Sequence, residues 1–214
     1  MTVNQPTLFK DLKEKCIELE GRFNTISEER KIKLNSLSSY ISSKIKADET
    51  PQLVVICTHN SRRSHMGQLW LALGASYYGL PEVLTYSGGT EATAFHPNAV
   101  NALRKIGFKI DTSQSDKINP AYKVTWTDTM DSYTALSTKF DEAPNPTKDF
   151  AAIMVCSEAD QGCPFVPGCD FRLSLPFNDP KEFDGTDIQD QKYSERCEDI
   201  GTEMLFVMSK VAVQ

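Results

Sequence analysis

Apolar residues recur at helical spacing from Leu8 to about Ile45, first as Leu8, Leu12, Cys16 and Leu19, then as Ile32, Leu34, Leu37, Tyr40, Ile41 and Ile45, with charges between them. This spacing predicts two helices with a break between Gly21 and Thr25, where Gly and Asn favour helix ends. Ala47 to Gln52 is polar, contains a Pro turn and has the composition of a linker. Residues 1–50 therefore read as an N-terminal helical extension, packed or loosely attached, and 51–214 as the main body. In that body Leu53 to Ile56 is wholly apolar, as in a strand buried on both faces. A helix over 64–79 follows, with Met66, Leu69, Trp70, Leu73 and Tyr77 on one stripe, then a strand from Val83 to Ser87. A helix from Pro97 to Ile106 is closed by Gly107. Phe150 to Val155 reads as a second wholly apolar strand, Phe171 to Phe177 as an alternating one, and Ile188 to about Val211 as a long closing helix. Strands alternating with helices predict an α/β fold, a doubly wound parallel sheet covered on both faces. Between about 119 and 149 the pattern weakens, with Val124, Trp126, Tyr133, Leu136 and Phe140 set among Thr, Asp and Pro, which suggests an insertion with its own hairpin.

With 23 Lys and Arg against 29 Asp and Glu, the 214-residue chain has a formal charge of −6 and no basic footprint for nucleic acid or an anionic membrane. No apolar run approaches the ~20 residues of a membrane span. Met1 to Lys10 carries neither a basic n-region nor an apolar h-region, so a cytoplasmic protein is expected. Six cysteines, at 16, 57, 156, 163, 169 and 197, are too sparse for a disulfide scaffold and read instead as free, catalytic or redox-active thiols.

The segment Cys57-Thr58-His59-Asn60-Ser61-Arg62-Arg63-Ser64 joins the first buried strand to a helix start. In an open α/β sheet this is where ligands bind. A loop entering a helix aims its N–H groups inward as an anion nest, and the helix dipole adds about half a positive charge. Thr58 to Ser64 are the candidate oxyanion cradle. Cys57, its thiolate favoured by those N–H groups and by Arg63, is the candidate nucleophile. Arg63 can hold two oxygens of a tetrahedral oxyanion with its planar fork, Ser64 can donate to the Cys57 sulfur, and Asn60 can brace the loop.

Cys57 to Ser64 resembles the phosphate-binding loop Cys-x5-Arg-Ser of the low-molecular-weight protein tyrosine phosphatase superfamily, which includes the thioredoxin-coupled arsenate reductases. Tyr86-Ser87-Gly88-Gly89-Thr90, followed by Pro97-Asn98-Ala99, resembles the Ser-Ala-Gly and Pro-x-Ala segments of that superfamily. The resemblance covers about residues 53–118 and 150–212 and implies a small doubly wound fold with a four-stranded parallel sheet; residues 1–50 and 119–149 have no counterpart in it.

Cys156-Ser-Glu-Ala-Asp-Gln-Gly-Cys163-Pro164 follows the second buried strand. Its spacing exceeds that of a zinc knuckle and no His lies nearby, so no metal is expected. Two cysteines in a polar, Gly-containing loop can reach disulfide distance if the segment refolds; they can equally be unrelated thiols. The segment is similar to the one that carries the second and third redox cysteines of the thioredoxin-coupled arsenate reductases. That resemblance implies that Cys57 attacks arsenate while Arg63 neutralises it, and that Cys156 attacks the Cys57–arsenic adduct and releases arsenite. Cys163 would then attack Cys156, leaving a Cys156–Cys163 disulfide for thioredoxin, with no bound cofactor. Phe177-Asn178-Asp179-Pro180 resembles the family's Asp-Pro segment, which implies that Asp179 protonates the leaving oxygen.

Several positions depart from the family pattern. His59 stands where a Gly is usual and is expected to need positive φ; Arg62 replaces a frequent Cys and adds positive charge for anion binding; Gln68 replaces a Glu that helps some reductases hold potassium. A phosphatase acting through a phosphocysteine would use the same Cys57, Arg63 and Asp179. Against it, Lys181-Glu182-Phe183 follows Asp179-Pro180 where many such phosphatases have paired tyrosines. A non-catalytic oxyanion- or partner-binding module, with the N-terminal helices as its dock, is a third possibility. Cys169 is expected to be a loop thiol and Cys197 a buried helix thiol, His65 and His96 helix-start and turn residues, and Trp70 and Trp126 packing residues.

Overall fold

The computed structural model describes residues 7–112, 118–163 and 165–212; the start of the extension and Pro164 of the quoted motif lie outside them. In chain order the helices are α1 (Lys10–Glu20), α2 (Glu28–Lys46), α3 (Arg63–Tyr77), α4 (Pro97–Lys105), α5 (Ser157–Gly162) and α6 (Gln189–Ala212). The strands are β1 (Gln52–Cys57), β2 (Leu84–Gly89), β3 (Lys109–Thr112), β4 (Tyr122–Thr125), β5 (Tyr133–Ala135), β6 (Phe150–Met154) and β7 (Cys169–Ser174). The main sheet has four strands in the order β2-β1-β6-β7, all parallel. Leu53 to Ile56, at the centre, are fully buried, as their unbroken apolar run requires.

Helix α3 differs from the single stripe expected: Leu71 and Ala72 are buried along with Met66, Leu69, Trp70 and Leu73, because α3 is packed between the sheet and α6. The two helices approach so closely that a Cβ on Gly201 would stand 2.5 Å from the Trp70 ring. β7 begins and ends earlier than expected and does not alternate. It is an edge strand with β6 as its sheet neighbour, and no residue in it is fully buried.

The N-terminal helices α1 and α2 are packed. Leu12, Cys16, Leu19, Leu34, Leu37 and Ile41 are fully buried in the same core as the sheet, against α6, each apolar side chain contributing roughly 1.5–3 kcal/mol. Ile32, expected on that stripe, is 70% exposed. Ser38 Oγ donates to the Val207 carbonyl at 2.9 Å, and Arg30 Nε donates to both Glu203 oxygens at 2.9 and 2.8 Å, fixing α2 to α6. The expected hairpin is β4–β5, but it joins β3 in a separate antiparallel sheet. β3 escaped the sequence pattern because Ile110 alone of its four residues is buried. Among the described residues no helix is long and apolar enough to cross a membrane.

Candidate active site

β1 delivers Cys57 to the carboxyl edge of the sheet, and α3 begins six residues later at Arg63. Cys57 is 4% exposed and its Sγ lies 3.1 Å from Ser64 Oγ. Asn60 Nδ2 donates to the same Oγ at 2.9 Å, so the hydroxyl already accepts there and its proton is free to point at the sulfur. The left-handed turn expected at His59 falls instead on Asn60, at φ +43°; His59 has no positive φ and is exposed, 3.8 Å from Glu91. Asn is among the residues that tolerate this region best.

Segment 90–96 braces the loop from outside. Thr90 N–H donates to the Cys57 carbonyl, Glu91 N–H to that of Thr58, Thr93 Oγ1 to that of His59 and His96 N–H to that of Ser61, at 2.8–3.2 Å. These bonds consume loop carbonyls and leave the amide donors for an anion. Ser61 turns its own hydroxyl onto the Ala94 carbonyl, so of this candidate cradle residue only the backbone donor is left for an anion. The close approach requires Gly89, where a Cβ would lie 2.1 Å from the Glu91 carbonyl oxygen and 2.7 Å from Asn60 N.

Arg63 does curl over the loop, donating through Nη1 to the Phe177 carbonyl at 2.8 Å and through Nη2 to Asp179 Oδ2 at 2.6 Å. The other Asp179 oxygen accepts from Lys181 N–H, capping the turn Pro180–Phe183. Arg62 departs from expectation. Its guanidinium points to Tyr193 Oη at 2.6 Å and Asp184 at 3.1 Å, so its charge is spent on α6 and the 180–184 turn rather than on an anion in the loop. Sequence reasoning had no signal for this, because Tyr193 and Asp184 belong to no motif around the loop.

The Cys156–Cys163 segment is a helix, not a loop. Cys156, fully buried at the end of β6, N-caps α5: its Sγ accepts from Ala159 N–H at 3.4 Å and lies 3.3 Å from Thr58 Oγ1. Burial pushes the Cys156 thiol up, opposed by the Thr58 bond, the Ala159 N–H and the Arg63 charge. Cys163 is half-buried at the far end of α5, about 10 Å along the axis at 1.5 Å per residue. Cys169 opens β7 rather than standing in a loop. Cys16 and Cys197 are buried, each pushed up to about 12 by desolvation, and Cys197 accepts from Trp70 Nε1.

His65 lies inside α3, fully buried and stacked on Phe95, with Nδ1 3.2 Å from Ser87 Oγ; His96 N-caps α4. Gln68 turns its amide nitrogen, a donor, onto the Thr85 carbonyl and Tyr133 Oη, both at 3.1 Å; Tyr133 Oη donates to that carbonyl too. These donors do not fit a cation at that carbonyl, and among the described residues no group of three His, Cys, Asp or Glu could hold a metal. Thr58, His59, Arg63, Asn178, Asp179 and Lys181 line one open cleft of about 740 Å³, with Ser157 and Glu158 of α5 on its rim.

No family model matches the chain. It is 33% identical over 132 residues to the arsenate reductase of Halalkalibacterium halodurans, covering 62% of this chain and 76% of that one. It is 30% identical over 144 residues to that of Bacillus licheniformis, covering 67% and 84%. Among solved structures, a YwlE mutant from Bacillus subtilis aligns with a TM-score of 0.51 at 15% identity, over 76% of this chain and 99% of that one. The fold is therefore α/β, a doubly wound four-stranded parallel sheet of the low-molecular-weight tyrosine phosphatase kind with a helical N-terminal region, and the chain belongs to the arsenate reductase family.

Proposed function

We propose that this protein reduces arsenate with Cys57, Cys156 and Cys163 and is recycled by thioredoxin. The observation that carries the reading is Cys156, a second cysteine lodged against the oxyanion loop through Thr58 Oγ1 at 3.3 Å. The Cys57 thiolate attacks As(V), one arsenate oxygen departs as water with a proton from Asp179, and Arg63 and the loop amides hold the remaining oxygens. Cys156 then attacks Cys57 Sγ, and the electron pair of the S–As bond stays on arsenic, which leaves as arsenite. Cys163 attacks Cys156 of the resulting disulfide, frees the Cys57 thiolate and leaves Cys156–Cys163 oxidised for a thioredoxin dithiol. The last step requires α5 to unwind, because a disulfide tolerates a Cα separation of no more than ~7 Å.

The test is arsenate-dependent NADPH oxidation with thioredoxin and thioredoxin reductase. Turnover that disappears in both Cys57→Ser and Cys156→Ser supports the reading. Full arsenate turnover in Cys156→Ser would sink the relay, and hydrolysis of a phosphoester without arsenate turnover in the parent would transfer the assignment to a phosphatase.

A further inference from the structure

One nitrogen, its two hydrogens shared among three acceptors, holds the second half of α5 and its C-cap. Arg172 Nη2, reaching from β7, donates to the Asp160 carbonyl at 2.9 Å, to Asp160 Oδ1 at 2.6 Å and to the Cys163 carbonyl at 3.0 Å. Ser174, two residues along the same face of the strand, donates through Oγ to the other Asp160 oxygen at 2.6 Å. The two carbonyls are among the last four of the helix, the ones an α-helix leaves without internal partners. Arg172 Nε is buried with no partner among the described residues, so the guanidinium is fastened by Nη2.

Resting on the relay above, we propose that Arg172 is a positioning residue that sets when Cys163 is released to meet Cys156. Cys163 must travel, and one of the bonds holding it back ends on its own carbonyl. The other three end on Asp160, in the middle of the segment that has to unwind. These bonds belong to the helical dithiol form. They therefore favour the reduced side of the reaction in which two thiols lose two protons and two electrons to form one disulfide, and a pair whose reduced form is stabilised is the more oxidising pair. Weakening the latch favours the disulfide.

The experiment uses the full chain as Cys57→Ser/Cys169→Ser, in which neither of those thiols can compete for Cys156 or Cys163. The protein is equilibrated against ratios of oxidised to reduced dithiothreitol, which accepts the two electrons, then quenched by alkylation and read by mass spectrometry. In that background Arg172→Met is expected to raise the oxidation constant about tenfold, a potential about 30 mV more negative for a two-electron couple. Arg172→Lys, which keeps the charge but loses the planar fork, is expected to restore part of the difference. Ser174→Ala removes one bond and is expected to shift the constant in the same direction by about threefold, carrying the test if Arg172→Met does not fold. A disulfide that forms in the parent with the same midpoint in Ser174→Ala and in folded Arg172→Met overturns the proposal and leaves the relay standing. No disulfide in the parent at any ratio overturns both.

Discussion

Asn60 carries two separable loads, and substitution can divide them. Its backbone sits at φ +43°, while its side chain donates to Ser64 Oγ at 2.9 Å and accepts from Thr138 N–H at 2.8 Å, tying the loop to the segment that follows β5. Asn60→Gly keeps the backbone conformation and deletes both bonds. At about 1 kcal/mol net for each, the loss is about 2 kcal/mol. Asn60→Ala deletes the same bonds and forces a Cβ into the left-handed region, which costs about 1–2 kcal/mol for an ordinary L-residue, so its loss is about 3 kcal/mol. Urea unfolding followed by tryptophan fluorescence measures both; at a slope of about 2 kcal/mol/M the midpoints fall by about 1 and 1.5 M. The slope must match that of the parent for the comparison to hold. Alanine as stable as glycine would refute the strain argument, and both variants within 0.5 kcal/mol of the parent on the order-of-magnitude scale of a hydrogen bond would refute the brace.

The neighbouring arginines should separate stability from activity: Arg62→Met is expected to lower stability by about 2–3 kcal/mol with arsenate turnover kept within a few-fold, whereas Arg63→Lys is expected to cost about 10²-fold in turnover. Thermal melts alongside the coupled NADPH assay check both, and equal turnover losses would contradict the division. Gly89→Ala places a Cβ against backbone atoms of Thr58 and Asn60 in the loop and of Glu91 in the bracing segment, and should cost about 1–3 kcal/mol together with most of the turnover, read by the same pair of measurements. His65 supplies a pH dependence: burial pushes it down from 6.5 to about 3, so it is neutral in the fold and protonates on unfolding in acid. Its contribution is complete above 6.5 and is lost as pH falls towards 3, about 2 kcal/mol of it between pH 7.5 and 5. Urea titrations at those two pH values should show that drop, and His65→Gln should flatten it.

How much of this was legible in the sequence followed from how far each feature depends on its neighbours in the chain. The two wholly apolar runs at β1 and β6, the loop that follows β1 and the closing helix α6 carry their own signal, and the structure has them near the expected boundaries. β3 has one buried residue, so periodicity had nothing to read there, whereas the alternation at 171–177 marked β7 but displaced its bounds, because no residue of that edge strand is fully buried. α5 is six polar or small residues long, with a cysteine as its cap and an arginine from β7 closing its far end, so its helicity comes from tertiary contacts. Positive φ is expected at His59 because a side chain there replaces glycine, but it falls on Asn60, whose amide gains two partners in that conformation.

Arg62 and Arg63 both stand at the N-terminus of α3, where the helix dipole disfavours cations. Segment 179–184 answers each with a carboxylate, but the two pairs are built differently. Arg62 is locked in a triangle, because Tyr193 Oη accepts from its Nε and donates to the same Asp184 at 2.7 Å. Arg63 meets a carboxylate that is 32% exposed on the wall of the cleft. A tetrahedral oxyanion brings its own negative charge, so it can take Nη2 from Asp179 without leaving a buried cation unpaired. On the proposed mechanism, that exchange would free Asp179 to face the bound oxygen. Nη1 donates to the Phe177 carbonyl, a bond of the guanidinium that does not depend on the carboxylate. The Phe177 ring lies 4.7 Å from the Arg30 guanidinium, which is doubly bonded to Glu203. Phe177 thus meets α2 with its ring and Arg63 with its carbonyl, so the N-terminal helices and the candidate anion-binding arginine share one residue as neighbour.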